Sequence, residues 1–190
     1  MLSDEEVTIL RNNIERYEGK VSHMYLDSRG FVTVGVGHLL SNTYAAQKVF
    51  FQTETGDAAS DDVIAEEFVL LQQQEGNRVA SYYKQFTQLH VSDETIDGLT
   101  NKHIDSFYQE LQIIYSEFDT FPRNVKLALF DLIFNLGMTA LRKKWPKLNG
   151  CIANRDWVGA AENCRRRGIA DARNDYVKSL LERGDETSIA

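Results

Sequence analysis

The stretch from Glu18 to His38 constrains the fold more than any other part of this 190-residue chain. It begins where a helix is predicted to end, because apolar residues recur at helical spacing from 7 to 17 and Gly19 can adopt a left-handed conformation. Asp27 and Gly30 then occupy the first and fourth positions of a predicted type I turn. Residues 31–36 alternate as a strand does. The stretch therefore predicts a helix end followed by a small hairpin.

Three side chains in this stretch are able to carry chemistry. Glu18 falls at a helix C-terminus, where the partial negative charge favours a protonated carboxyl, the form that a general acid requires. Each residue also has an ordinary interpretation: Glu18 as a solvated surface residue, Asp27 as a turn opener, and Thr33 as a β-former on a half-exposed strand. Taken singly, each residue favours the ordinary interpretation.

The spacing of the whole set favours a specific family. Three short patterns agree in type and interval with the catalytic signature of the phage-type lysozymes, the T-even phage-like family (glycoside hydrolase family 24): Glu-Gly at 18–19, Tyr-x-Asp-x-x-Gly at 25–30 and Thr-x-Gly-x-Gly-His at 33–38. The resemblance implies a muramidase that hydrolyses the β-1,4 bond between N-acetylmuramic acid and N-acetylglucosamine in peptidoglycan. It also implies a mainly helical α+β fold, lysozyme-like, with a small β-hairpin lobe and a larger helical lobe.

The resemblance also assigns roles to single residues. It implies that Glu18 protonates the glycosidic oxygen, while Asp27 stabilises the oxocarbenium-like charge and positions a water together with Thr33. Asn135 and Arg173 are candidate substrate-binding residues, and Arg173 is expected to ion-pair with Glu18. For Asn135, an ordinary asparagine near a helix end is an equally good interpretation.

The same comparison divides the chain, which we expect to be a single lysozyme-like domain over residues 1–190. A catalytic hairpin lobe is expected at 18–43, a divergent helical insertion at 44–90 and a helical lobe at 91–190. Because 44–90 resembles the family poorly, we expect it to be dispensable for folding and to affect delivery, substrate range or inhibition. Apolar residues between 125 and 136 recur at helical spacing and predict a buried core helix.

The net charge and the hydropathy of the sequence limit the classes of partner that the chain is expected to bind. A formal net charge of −7 argues against a nucleic-acid binder and leaves wall binding to local basic residues. No run is long and apolar enough to insert into a membrane, and the first residues do not form a secretory signal peptide. We expect a monomer made in the cytoplasm that acts in the periplasm or on the wall, after release as a phage endolysin or injection as an antibacterial effector. An immunity or inhibitor protein is left open as a further partner.

The remaining residue types suggest no cofactor. Cys151 and Cys164 are expected to be free thiols, and the four histidines form no ligand cluster with them, so we expect neither a metal nor an organic cofactor. The alternative from another class is a non-catalytic cell-wall or partner-binding module on a lysozyme scaffold, since a fold does not guarantee activity. The presence of all three signature residues favours the enzyme.

Overall fold

The computed structural model describes residues 2–186, and they form a mainly helical α+β protein, as the sequence predicts. The chain divides into two compact units, one of residues 14–102 and one that combines 1–13 with 103–190. Both boundaries fall inside helices. The helices are α1 (Asp4–Glu18), α2 (Thr43–Gln47), α3 (Asp61–Gln72), α4 (Ala80–Tyr83), α5 (Asp93–Ile114), α6 (Arg123–Leu136), α7 (Met138–Lys144), α8 (Pro146–Ala153), α9 (Trp157–Glu162) and α10 (Asp171–Glu182), and the strands are β1 (Val21–Leu26), β2 (Val32–Gly35) and β3 (His38–Leu39).

The three strands form one antiparallel sheet in the unit of residues 14–102, in the order β1-β2-β3. Tyr25 on β1 lies opposite Thr33 on β2, and Leu39 on β3 lies on the other side of Thr33. All four residues of β2 are buried. The strand is therefore enclosed on both faces, and Thr33, only 2% exposed, does not occupy the half-exposed position of its ordinary interpretation.

The glycines of the signature serve the turn between β2 and β3. Gly35 and Gly37 have φ angles of +69° and +96°, in the region that side chains with a Cβ rarely adopt. A Cβ on Gly35 would also lie 3.4 Å from Cγ2 of Ile96 on α5. Both positions thus require glycine for backbone reasons, which accounts for the Gly-x-Gly pattern without a ligand.

The segment 44–90 belongs to the hydrophobic core of this unit. Ile64, Phe68 and Leu71 on α3 are at most 2% exposed, and α3 contacts both β1 and β2. Tyr83 on α4 is fully buried, and its hydroxyl donates a hydrogen bond to the carbonyl of Glu75 at 2.8 Å. The expectation that 44–90 is dispensable for folding is therefore wrong, because removing it would expose the apolar side chains of the sheet.

The other unit is helical and is built on α6. Of the five apolar residues at helical spacing, Val125, Leu129, Leu132 and Ile133 are fully buried, as the sequence predicts, whereas Leu136 in the last turn is only half-buried. The helix ends at Gly137, whose φ angle is +73°. The helix α10 packs against both α6 and α9.

No single helix among the described residues is both long and apolar enough to span a membrane. One consecutive pair, α6 and α7, meets the length and composition criteria together, but the two helices meet at an angle of 106°.

Truncating the core of α3 tests the place of segment 44–90. Phe68→Ala is expected to lower the free energy of unfolding by about 3–5 kcal/mol, because it removes a buried ring and leaves a cavity. Val69→Ala, on the same helix but with a side chain 43% exposed, is the matched control and should change stability by less than about 0.5 kcal/mol. Urea denaturation measures both. Equal stabilities would mean that α3 does not pack on the sheet.

Candidate active site

Glu18 is the last residue of α1, as the sequence predicts. The helix begins with a capping box in which the Ser3 N–H donates to Glu6 Oε2 at 2.7 Å and the Glu6 N–H donates to Ser3 Oγ at 3.2 Å. It ends at Gly19, whose φ angle is +78°. Glu18 is exposed to solvent.

Lys20 anchors the chain directly after Glu18. Its Nζ lies 3.2 Å from Asp97, 3.5 Å from Asp93 and 3.5 Å from Glu15, so it joins the end of α1 to the start of α5. Burial lowers the pKa of Lys20, but the hydrogen bond to Asp97 and the three negative charges outweigh it and raise the pKa overall. Sequence reasoning missed this role because two of the three partners are distant in the chain.

Asp27 opens the turn between β1 and β2 and also holds it. The Gly30 N–H donates to the Asp27 carbonyl at 2.9 Å, which confirms the predicted turn. The carboxylate Oδ1 of Asp27 accepts the N–H groups of Arg29 at 2.8 Å and of Phe31 at 2.9 Å. The carboxylate therefore closes the turn through two backbone hydrogen bonds.

The second oxygen of the Asp27 carboxylate is in a different environment. Its Oδ2 lies 3.6 Å from Nε of Arg29, and the Arg29 guanidinium stands 5.1 Å from the centre of the Phe31 ring. The Arg29 side chain is 70% exposed, so water screens the pair and it contributes little to stability. Oδ2 is thus the carboxylate oxygen that can interact with a substrate or a water.

Thr33 is buried in the middle of the sheet, and its hydroxyl has a defined role as a donor. Oγ1 donates to the carbonyl of Phe31 at 3.0 Å. Since a hydroxyl has one proton and two lone pairs, the oxygen keeps the capacity to accept a further hydrogen bond. A water that donates a hydrogen bond to Thr33 Oγ1 would therefore be held in place, while a lone pair on the water oxygen stays available for attack.

Tyr25 is linked to the signature residues in two ways. It lies opposite Thr33 in the sheet and two residues before Asp27. Burial raises the pKa of Tyr25 to about 12, and the negative charges of Asp27 and Glu18 add to the shift. The phenol is therefore paired with Thr33 across the sheet, and the charges of Glu18 and Asp27 both act on it. The signal for Tyr25 was in the sequence, as the Tyr of the Tyr-x-Asp pattern.

The two other predicted site residues belong to the helical unit. Asn135 lies half-buried in the last turn of α6. Arg173 is buried in α10, and its Nε donates to Asp131 Oδ2 at 2.9 Å. Their binding of substrate and the pairing of Arg173 with Glu18 stay predictions.

Asp131 is the carboxylate around which this part of the helical unit is arranged. Besides Arg173, it binds Arg166, whose Nη1 lies 2.6 Å from Asp131 Oδ1 and 3.2 Å from its carbonyl. All three side chains are at most 7% exposed. Asn174 completes the cluster by accepting the backbone N–H of Arg166 at 3.0 Å. Sequence reasoning saw the basic run at 165–173 but not its buried counter-charge.

The comparison with known families agrees with this geometry. The sequence profile described as Phage lysozyme matches residues 15–186, which includes the segment 44–90. The chain therefore belongs to the phage lysozyme family, and its fold is lysozyme-like. At the level of that family it is a glycosidase that degrades peptidoglycan. A search of curated proteins gives no match.

Neutralising Asp131 tests the buried cluster. Asp131→Asn should lower the free energy of unfolding by about 3–5 kcal/mol, because it leaves two buried guanidinium groups without their carboxylate. The control Asp175→Asn removes an exposed ion pair with Arg165, 3.8 Å apart, and should cost less than about 1 kcal/mol. Chemical denaturation followed by circular dichroism measures both. A loss for Asp131→Asn no larger than that of the control would contradict the buried pair.

Proposed function

We propose that the chain is a muramidase that hydrolyses the β-1,4 bond between N-acetylmuramic acid and N-acetylglucosamine. In this proposal Glu18 protonates the leaving glycosidic oxygen, and Asp27 stabilises the positive charge that develops on the sugar. Thr33 accepts a hydrogen bond from the attacking water. The proposal gives each signature residue a role that suits its hydrogen bonding.

The observation that carries the proposal is the match of the Phage lysozyme profile over residues 15–186, which contain Glu18, Asp27 and Thr33. Glycoside hydrolysis needs two carboxyl groups with different tasks, one that gives a proton and one that stays charged. Glu18 is an exposed residue at the end of α1, whereas the Asp27 carboxylate accepts two backbone N–H groups. The two acids thus lie in different environments.

The water-holding role of Thr33 favours an inverting course. In such a reaction the water attacks the sugar on the face opposite the leaving group, and the two carboxyl groups stand roughly 6.5–9.5 Å apart. A retaining enzyme instead uses the second carboxylate as a nucleophile, with a separation of about 5–5.5 Å. Asp27 would then need no hydroxyl beside it to fix a water.

Removing the proton of Glu18 tests the central step. Glu18→Gln keeps the shape but cannot donate the proton, so the rate should fall on the order of 10²-fold or more. Turbidity clearing of permeabilised cells measures the rate, and zymography on purified peptidoglycan confirms that the wall is the substrate. The control Glu94→Gln changes an exposed glutamate at the start of α5 and should clear as wild type. If Glu18→Gln clears equally fast, the muramidase proposal fails and the non-catalytic module takes its place.

Two further substitutions separate chemistry from folding at the hairpin. Asp27→Asn keeps an oxygen that can accept from Arg29 and Phe31, so the turn should persist while the rate falls on the order of 10²-fold or more. Thr33→Val removes the hydroxyl at equal size and should slow the enzyme, whereas Thr33→Ser should retain more of the rate. The anomeric form of the first product, followed by NMR, reports the stereochemical course. A product with retained configuration would contradict the water-holding role of Thr33.

The location of the substrate also limits the routes by which the enzyme can reach it. Peptidoglycan lies outside the cytoplasmic membrane, so we propose that the protein reaches it by release, as an endolysin, or by injection, as an antibacterial effector. Expressing it in bacteria with and without a co-expressed membrane pore tests the release route. Lysis that does not depend on the pore would exclude that route. An immunity protein would be recognised as a chain that blocks clearing at equimolar concentration.

A further inference from the structure

A groove in the unit of residues 14–102 is lined by none of the signature residues. It lies between α3 and the segment 85–88 and has a volume of about 330 Å³. Val63, Leu70 and Phe86 give it apolar walls, and Glu66 and Glu67 give it acidic groups. Among its lining residues there is no cation, so nothing in the wall of the groove neutralises the two carboxylates.

Glu67 is the unusual member of this groove. It is only 7% exposed, and its Oε2 accepts the backbone N–H groups of Gln88 at 2.6 Å and of Leu89 at 3.1 Å. Its Oε1 is buried and has no hydrogen-bond partner among the described residues. Burying a carboxylate oxygen without a hydrogen-bond donor costs free energy of folding, since the oxygen loses its hydrogen bonds to water and gains none within the protein. Burial accordingly raises the pKa of Glu67, although the two N–H donors act against the shift.

The charge in the wall of the groove defines the kind of ligand. Its two charged lining residues, Glu66 and Glu67, are both acidic. A ligand that satisfies Oε1 must bring a hydrogen-bond donor, and one that also balances the charge must be a cation. A primary ammonium brings three N–H donors and a positive charge. An alkyl chain attached to it would pack on Val63 and Leu70, and the ring of Phe86 would further favour a cation.

We propose that this groove binds alkylammonium groups, with Glu67 Oε1 as the buried acceptor. The source of the amine rests on the proposed function. A wall-cutting enzyme meets free amino groups on the peptide stems of peptidoglycan, beside the bond that it cleaves. Because Oε1 is itself buried, entry requires rotation of an exposed lining side chain such as Gln85, a change that is common on binding. The groove would thereby add affinity for the wall without taking part in the cleavage.

Titration with a small amine tests the groove separately from catalysis. The probe is N-acetyl-lysine amide, which has a free ε-ammonium, followed by NMR shifts of the backbone N–H groups of Gln88 and Leu89. Saturable shifts are expected, and the same compound acetylated on its ε-nitrogen should give none. No saturable shift with the free amine, with only a water found at Oε1 in a crystal structure, would overturn the proposal.

Glu67→Gln is the decisive variant. It keeps an oxygen for the N–H groups of Gln88 and Leu89, but it replaces Oε1 with a donor and removes the charge, so the Kd should rise about tenfold or more. Glu66→Gln is the matched control, an exposed neighbour on the same groove, and should change the Kd much less. Leu70→Lys, at a side chain 43% exposed, is a second variant that places an ammonium of the protein in the groove and should block the probe. Unchanged binding in Glu67→Gln or in Leu70→Lys would overturn the site.

A second experiment tests the source of the amine. Binding of the Glu18→Gln protein to purified sacculi is measured before and after chemical acetylation of their free amines. Weaker binding to acetylated sacculi is expected, and Glu67→Gln introduced into the same protein should abolish the difference. Equal binding to both would overturn the wall as the source, even if the small amine binds. If instead Glu18→Gln clears cells as wild type, the proposed function fails while the amine titration still decides the groove.

Discussion

The hydrogen bonds from two backbone N–H groups to the Asp27 carboxylate are the interaction on which the candidate site depends. They fix the turn, and the turn fixes the register that places Tyr25 opposite Thr33. The same carboxylate is the proposed charge stabiliser, so one side chain has both a structural and a chemical role.

Two of the three buried carboxylates among the described residues, Asp131 and Glu67, are stabilised in different ways. Asp131 is shared by two arginines and a hydrogen-bond network, which satisfies both of its oxygens. Glu67 has only backbone N–H donors, and these reach only one of its oxygens. Buried polar atoms in proteins are almost always paired, so an exception requires an explanation. The burial of the Asp131 carboxylate is explained by the two arginines of its own unit. The burial of Glu67 Oε1 has no such explanation.

Local features of the sequence predicted local features of the structure. The end of α1 at Glu18, the turn at Asp27 and the buried face of α6 all depend on neighbours within a few residues. The packing of α3 was missed, although Phe68 and Leu71 are buried, because α3 contacts β1 and β2, which lie far from it in the chain. The partners of Lys20 and Arg166 were missed for the same reason, because a sequence does not show which distant charged residues pair when the chain folds. The signature predicted Glu18, Asp27 and Thr33 as a set, and the position of Tyr25 opposite Thr33 comes from strand pairing.

The acidic segment 49–77 has a consequence for how the protein approaches its surroundings. The whole chain has 28 acidic and 21 basic residues, and seven of the acidic ones lie in this segment with no basic residue. The rest of the chain is therefore electroneutral, with 21 residues of each sign. A negatively charged surface would repel one segment and not the others, which favours some orientations of the protein over others before any contact forms. At physiological ionic strength this bias acts only within about 8 Å of the surface, so it selects how the protein docks without slowing its diffusion from afar.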